Sequence, residues 1–123
     1  MARIAIVDDS RLARVFAAGA LRARGHEVIE VEPDSLFAVL KVLRDAPVDL
    51  LVMDLLMPEC PGESLVRACR EDAALQALPV LLLSAHRDDE ALLRMQHHGI
   101  SGFLLKPLDP ATLVARVEEA LAG

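Results

Sequence analysis

Short apolar runs alternate with longer amphipathic segments along the whole chain. A run of residues 27–31 alternates apolar and charged positions, which predicts a strand at the edge of a sheet, where one face can stay polar. Four other runs are too short for helices and rich in branched side chains, which is typical of buried strands. These runs cover residues 3–7, 48–53, 79–83 and 102–105.

Helical patterns fill the intervals between the predicted strands. Gly25 and Gly99 follow two of them as helix terminators, Asp34 begins another after a proline, and Asp109 with Pro110 at the first helical position begins the last. Regular alternation of strands and helices predicts an α/β fold of (βα)5 type, with helices on both faces of a parallel sheet. The predicted helices cover residues 11–24, 34–45, 62–72, 88–98 and 110–122.

Composition narrows the class of protein. A chain of 123 residues that is 54% hydrophobic fits one domain over residues 1–123 with one substantial core. The net charge of -6 argues against direct binding to nucleic acid, which requires a basic face. No signal peptide precedes Arg3, and no apolar run approaches the roughly 18 residues of a membrane span, so we expect a cytoplasmic protein without a membrane contact.

Polar residues follow the buried runs directly. Asp8 and Asp9 follow the first strand, Asp54 the third, Ser84 the fourth and Lys106 the fifth. Each of these residues alone is more often a helix cap or a turn former. Together they converge on the carboxyl edge of a parallel sheet, where ligands bind. Carboxylates that lie so close repel unless a cation compensates them, and oxygen ligands favour Mg2+.

These residue types support phosphoryl transfer. A carboxylate can attack phosphorus to form an acyl phosphate, while a metal and a lysine stabilise the transferring group. Asp54 is the best candidate nucleophile because it stands alone after a predicted central strand, whereas Asp8 and Asp9 are adjacent and better placed to hold a metal. Lys106 would supply fixed positive charge, and Ser84 a hydroxyl donor.

Four segments carry a resemblance to a known family: IVDDS at 6–10, MDLLMP at 53–58, LLLSA at 81–85 and GFLLKP at 102–107. Together they resemble the receiver domain of two-component response regulators, in particular its single-domain, chemotaxis-regulator-like members. The resemblance implies a doubly wound, flavodoxin-like three-layer sandwich with strand order 2-1-3-4-5, and Mg2+ or Mn2+ as cofactor.

The resemblance also implies a role for each matching residue. Asp54 would be the phosphoacceptor, and it would share the metal with Asp8, Asp9 and the backbone carbonyl of Leu56. The phosphoryl group would contact Ser84 and Lys106. The remaining implied roles are room for the phosphoryl group (Ala85), a switch aromatic (Phe103), a cis peptide between Lys106 and Pro107, and tuning of dephosphorylation (Leu56 and His86).

The implied function is a phosphorylation-dependent switch, not a turnover enzyme. A histidine kinase or a phosphotransfer protein would donate the phosphoryl group, and the domain would lose it by autodephosphorylation. The face of the fourth helix, fifth strand and fifth helix would bind a downstream protein partner, with the chain a monomer or a weak phosphorylation-linked dimer. Alternatives are a scaffold that works without phosphorylation, and a receiver excised from a larger regulator or hybrid kinase. A haloacid-dehalogenase-type phosphatase ranks last, because the first strand ends in DDS instead of DxD.

Four other residues could suggest a further site, but each has a simpler structural interpretation. His97 and His98 complement the negative end of a helix dipole. Cys60 could be a redox sensor, yet we expect an ordinary exposed thiol, and we expect His26 to be solvated in its turn.

Overall fold

Five parallel strands form one sheet in the structure, a computed structural model that describes residues 1–123. The spatial order is β2-β1-β3-β4-β5, and all neighbouring strands pair in parallel. This order confirms the predicted doubly wound, flavodoxin-like fold, and it confirms the edge position of the alternating strand. The strands are β1 (Arg3–Val7), β2 (Glu27–Val31), β3 (Leu50–Asp54), β4 (Val80–Ser84) and β5 (Gly102–Leu105).

Helices cover both faces of the sheet and complete a three-layer sandwich. One buried apolar cluster joins the first and last helices to the sheet, and a second cluster joins the other three to its opposite face. None of the helices combines the length and the apolar character that crossing a membrane requires. The helices are α1 (Arg11–Arg22), α2 (Leu36–Asp45), α3 (Gly62–Glu71), α4 (Asp89–Gln96) and α5 (Pro110–Ala122).

The strands divide their side chains between the two clusters with a period of two. In β1, Ile4 and Ile6 pack toward α1 and α5, whereas Ala5 and Val7 pack toward α2, α3 and α4. Every residue of β3 is buried, as expected for the central strand of a parallel sheet. Burial of one large aliphatic side chain stabilises the folded state by about 1.5–3 kcal/mol. The many buried side chains of the two layers therefore fix the strands, and with them the carboxyl edge of the sheet.

Helix ends follow the predicted signals with one exception. The side chain of Asp109 accepts a hydrogen bond from the backbone N–H of Thr112, and Pro110 is the first residue of α5. The prediction that Asp34 begins the second helix is wrong, because the helix begins at Leu36 and the Ser35 hydroxyl caps it by accepting from the backbone N–H of Ala38.

Two side chains that we expected at the surface are inside. Cys60 is completely buried and joins the larger apolar cluster, and this burial raises the pKa of its thiol. The side chain of His26 is only 10% exposed, and its Nδ1 accepts a hydrogen bond from the backbone N–H of Ala2. Both predictions of exposure are therefore wrong, because Cys60 packs into an apolar cluster and His26 packs against the segment before the first strand.

Candidate functional site

Two strands bring the predicted carboxylates together at the carboxyl edge of the sheet. Asp54 is the last residue of β3, and Asp8 directly follows the neighbouring strand β1. The strand order reverses between β1 and β3, which is where doubly wound sheets form a crevice. One carboxylate oxygen from each of Asp8, Asp9 and Asp54 lies within 4.8 Å of the others. Asp8 and Asp54 are buried, and Asp9 is exposed.

Lys106 bridges the two buried carboxylates. Its Nζ lies 2.6 Å from Asp8 Oδ2 and 3.0 Å from Asp54 Oδ2. Burial alone would lower the pKa of this ammonium, but hydrogen bonds and charges from both carboxylates outweigh it and raise the pKa of Lys106. The lysine is therefore a permanent positive charge between the two carboxylates.

The backbone around Asp8 holds its carboxylate in one orientation. The N–H of Ser10 donates to Asp8 Oδ1 at 2.9 Å, and the hydroxyl of Ser10 caps α1. The carbonyl oxygen of Asp8 accepts a 2.7 Å hydrogen bond from Nη1 of Arg14, a side chain of α1. Each polar group of Asp8 on the crevice side thus has a partner within the protein.

Ser84, at the end of β4, engages the loop that follows it. Its hydroxyl donates to the carbonyl of His86 at 2.8 Å and accepts from the N–H of His86 at 3.1 Å. The carbonyl of Ser84 accepts a 2.8 Å hydrogen bond from the backbone N–H of Lys106. The hydroxyl proton therefore points into the β4–α4 loop in this structure, and the main chain connects Ser84 to the lysine.

The loop after Asp54 closes tightly against the strand. The N–H of Leu56 donates to Asp54 Oδ1 at 3.3 Å, and the N–H of Gly62 donates to the carbonyl of Leu55 at 3.0 Å. A Cβ at Gly62 would lie 2.7 Å from that carbonyl oxygen, so only glycine fits there. The side chain of Leu56 projects to solvent and is 61% exposed.

The other predicted site residues lie in β5 or directly after β4 and β5. Phe103 is partly buried and packs on the cluster beneath α2, α3 and α4. Ala85 and His86 are exposed in the loop after Ser84. The peptide bond between Lys106 and Pro107 is cis.

The donor set fits a hard divalent cation. Three carboxylates and one ammonium leave a formal charge of -3 + 1 = -2 in the crevice, and all candidate ligand atoms are oxygens. Lys106 forms ion pairs with Asp8 and Asp54 but not with Asp9. One ammonium cannot balance three carboxylates, so Asp8, Asp9 and Asp54 would hold a Mg2+ ion that compensates the remaining negative charge.

The fold and the site together define a class of protein. Its members have a doubly wound parallel sheet with acidic residues, a hydroxyl and a lysine at the carboxyl edge. Residues 4–118 match the family model of the response regulator receiver domain. The chain belongs to this family. Receiver domains act as phosphorylation switches in two-component signalling, and they generally bind Mg2+ through an acidic cluster of this kind.

Relatives of different lengths share this domain. The chain is 31% identical to protein PilH of Pseudomonas aeruginosa over the full length of both. It is 32% identical to chemotaxis protein CheY-3 of Vibrio cholerae, over 95% of this chain and 89% of that protein. It is 33% identical to sensor histidine kinase TmoS of Ectopseudomonas mendocina over 98% of its own length but only 12% of the kinase. The domain thus occurs in relatives both as nearly the whole protein and as a small part.

Solved structures agree with the sequence relatives. The structure of Vibrio cholerae chemotaxis protein CheY4 superposes with a TM-score of 0.89 at 28% identity and covers 98% of both chains. The whole path of the chain is therefore that of a receiver domain.

Arg14 is a polar residue of the site region that the sequence interpretation missed. Its position carries a signal, because Arg14, Ala17, Ala18 and Leu21 share the spacing of one buried helix face, and all four are buried. A charged residue on such a face requires a partner. The identity of that partner, a backbone carbonyl, leaves no mark in the sequence.

Proposed function

We propose that the protein is a phosphorylation-dependent switch in which Asp54 accepts a phosphoryl group from a histidine kinase or a phosphotransfer protein. The observation that carries this proposal is the ammonium of Lys106 between the buried carboxylates of Asp8 and Asp54, with Asp9 beside them. A purely structural ion pair does not need a third carboxylate at the same point, whereas a metal-assisted transfer does.

Asp54 is the nucleophile in this proposal. One of its carboxylate oxygens forms a bond to phosphorus while the donor's phosphorus–nitrogen bond breaks and the histidine nitrogen keeps the electron pair. Lys106 stabilises the negative charge on the transferring group, and the N–H of Leu56, 3.3 Å from Asp54 Oδ1, orients the carboxylate. A Mg2+ ion held by Asp8, Asp9, Asp54 and the carbonyl of Leu56 would neutralise further charge on the phosphoryl oxygens.

Ser84 couples the site to the surface. Donation of its hydroxyl to a phosphoryl oxygen requires that the hydroxyl leave the carbonyl of His86, to which it donates in this structure. Release of His86 frees the β4–α4 loop, and the space beside Ser84 becomes available to Phe103. Ala85 leaves room for the phosphoryl group because its side chain is a single methyl.

An exposed apolar surface on α1 lies beside the site and suits the phosphodonor. Leu12, Val15 and Phe16 are exposed. Leu12 and Phe16 line a cavity together with Pro107 and Leu108, and Lys106 also lines it. A donor helix that packs there would bring its phosphohistidine to the crevice.

The downstream partner would dock on the face of α4, β5 and α5. Leu93 and Leu105 are large apolar side chains exposed on this face, 62% and 48% respectively. Because α4 follows the loop that Ser84 holds, a change at Ser84 alters this face first. The protein would act by binding there and not by catalytic turnover.

Replacement of Asp54 tests the proposal. Asp54→Asn removes the nucleophile, so incubation with acetyl phosphate and Mg2+ should add a phosphoryl group to wild-type protein and none to the variant. Intact-protein mass spectrometry measures the product. Asp49→Asn is the matched control, because Asp49 lies directly before the other end of the same strand. Equal phosphorylation of Asp54→Asn and wild type would refute the acceptor role, and no phosphorylation of either would favour the scaffold alternative.

A further inference from the structure

Arg14 is a buried cation without a carboxylate partner. The residue is 9% exposed, and the one hydrogen bond of its side chain runs from Nη1 to the carbonyl of Asp8 over 2.7 Å. Charged side chains are rarely buried unless they are paired, because removal of a charge from water is costly. The position of Arg14 therefore needs a compensating source of negative charge.

The acidic cluster supplies that compensation. Arg14 contacts the residue whose carboxylate belongs to the cluster, and the cluster keeps a formal charge of -2 after Lys106 is counted. The carbonyl dipole of Asp8 also points its negative end at the guanidinium. The carbonyl of Asp8 and the net negative charge of the cluster thus both favour a guanidinium at this position.

The three contacts of Asp8 differ in the part of the residue that they hold and in whether they persist when a phosphoryl group binds. Lys106 contacts Asp8 Oδ2, but this same ammonium must turn to a phosphoryl group when one arrives. Ser10 is the next residue but one, so its hydrogen bond to Asp8 Oδ1 fixes only the local turn. Arg14 is the contact that fastens the main chain of Asp8 to the body of α1.

We propose that Arg14 is a positioning residue that sets the geometry of Asp8 and thereby the affinity of the site for Mg2+. This inference rests on the proposed metal site. Mg2+ demands near-ideal octahedral geometry and tolerates little displacement of a ligand. Without Arg14 the buried carbonyl of Asp8 loses its partner, and the end of β1 shifts toward water to regain one.

Arg22 offers a matched control on the same helix. Its guanidinium also donates to a backbone carbonyl, that of Val28 at 3.0 Å, and it forms an ion pair with Glu30. Arg22 thus anchors α1 to β2 in the same chemical manner, but its partners lie away from the carboxylate cluster. A general loss of helix anchoring should affect Arg14→Met and Arg22→Met alike.

The test is the affinity for Mg2+ alone, measured by isothermal titration calorimetry. Loss of a contact behind a metal ligand weakens metal binding by about 10-fold or more, which is the loss expected for Arg14→Met. Arg14→Lys keeps a charged donor and should recover part of that affinity, and Arg22→Met should bind as wild type does. Urea unfolding of all variants separates lost affinity from lost stability.

The outcomes separate this inference from the proposed function. If wild type does not bind Mg2+, both fail. If wild type binds and Arg14→Met binds equally well or more tightly, only the positioning role is overturned. Should Arg14→Met not fold, Arg14→Gln takes its place, because its shorter amide stops short of the Asp8 carbonyl. Its weaker Mg2+ binding would support the inference, and wild-type affinity would overturn it.

Discussion

The two sides of the candidate site are held in different ways. On the β1–α1 side, Asp8 has partners in three places, the turn at Ser10, the helix residue Arg14 and the distant Lys106. On the β4–α4 side, the hydroxyl of Ser84 bonds only to His86, two residues further along. The side chain and carbonyl of Asp8 are thus held by other elements, whereas the hydroxyl of Ser84 is held only by the loop that follows it.

The proposed function accounts for this difference. Metal ligands need a geometry that does not change, which long-range contacts provide. A switch needs a segment that rearranges for a small free energy, and a loop with only local hydrogen bonds is such a segment. Asp54, the proposed acceptor, thus lies between a side with hydrogen bonds to other elements and a side whose hydroxyl bonds only within its own loop.

Hydrogen bonds from α3 hold the segment just past the far end of α4. The guanidinium of Arg70 donates to the carbonyls of His98 and Gly99, just past the end of α4, and also to the carbonyl of Leu78. At the near end, the residues from Ala85 to Glu90 are all exposed. Movement that starts at Ser84 is therefore expected at the beginning of α4 and not at its end.

The largest expected effect comes from Lys106, the residue that connects the two sides. Lys106 contacts Asp8 through its ammonium and bonds to the carbonyl of Ser84 through its backbone N–H. Lys106→Met should slow phosphorylation of Asp54 by acetyl phosphate by about 100- to 1000-fold, because a fixed charge on the transferring group is lost. Rapid-quench sampling with mass spectrometry measures the rate.

Lys41→Met is the control for this change. Lys41 is an exposed lysine of α2, in an ion pair with Asp45 that lies within its own helix. Its replacement should leave the rate unchanged. A wild-type rate for Lys106→Met would exclude the lysine from the transfer and would reduce its role to neutralising the two buried carboxylates.

A smaller effect on the phosphorylation rate is expected on the β4–α4 side. Ser84→Ala should slow phosphorylation only about 10-fold, since one charge-assisted hydrogen bond is lost. It should also remove the phosphorylation-dependent change in hydrogen exchange over residues 85–91, because the loop has no hydroxyl to release. Ser84→Thr keeps the hydroxyl and should restore both. A normal exchange response in Ser84→Ala would show that the switch does not pass through this residue.

The sequence pattern predicts the order of the elements along the chain, and the family resemblance supplies their order in the sheet. Four strands are continuous apolar runs and the edge strand alternates, so all five strands and five helices are predicted in the correct order. Helix boundaries were less certain because Asp34 and Ser35 are both good caps, and only geometry decides that the side chain of Ser35 reaches the backbone N–H of Ala38.

The site was predictable where a residue follows a strand and unpredictable where it acts from elsewhere. Asp8, Asp54 and Lys106 stand directly after apolar runs, so topology alone predicts that they meet. Arg14 lies six residues beyond Asp8, and its long side chain reaches back to a carbonyl that no sequence pattern marks. Cys60 was misassigned because its loop folds inward beside Met57, which composition does not indicate.

The smallest expected effect concerns the lifetime of the phosphoryl group on Asp54. Leu56 stands at the mouth of the site with an exposed apolar side chain, which cannot hydrogen-bond an attacking water. Leu56→Asn supplies an amide that can orient this water, so we expect autodephosphorylation to be several-fold faster, up to about 10-fold, the worth of one hydrogen bond. The decay of phosphorylated protein after removal of acetyl phosphate, followed by mass spectrometry, gives the lifetime.

Leu93→Asn is the matched control, because Leu93 and Leu56 are equally exposed, 62% and 61%, and Leu93 lies on α4 away from the acceptor. The phosphorylated form of Leu93→Asn should have the same lifetime as phosphorylated wild type. An unchanged lifetime in Leu56→Asn would mean that access of water is limited elsewhere, and His86, on the β4–α4 side, would be the next residue to replace. A shorter lifetime in Leu56→Asn would instead show that the loop after β3 controls the access of water to the phosphoryl group. The hydrogen bond from the backbone N–H of Leu56 to Asp54 Oδ1 joins this loop to the proposed acceptor.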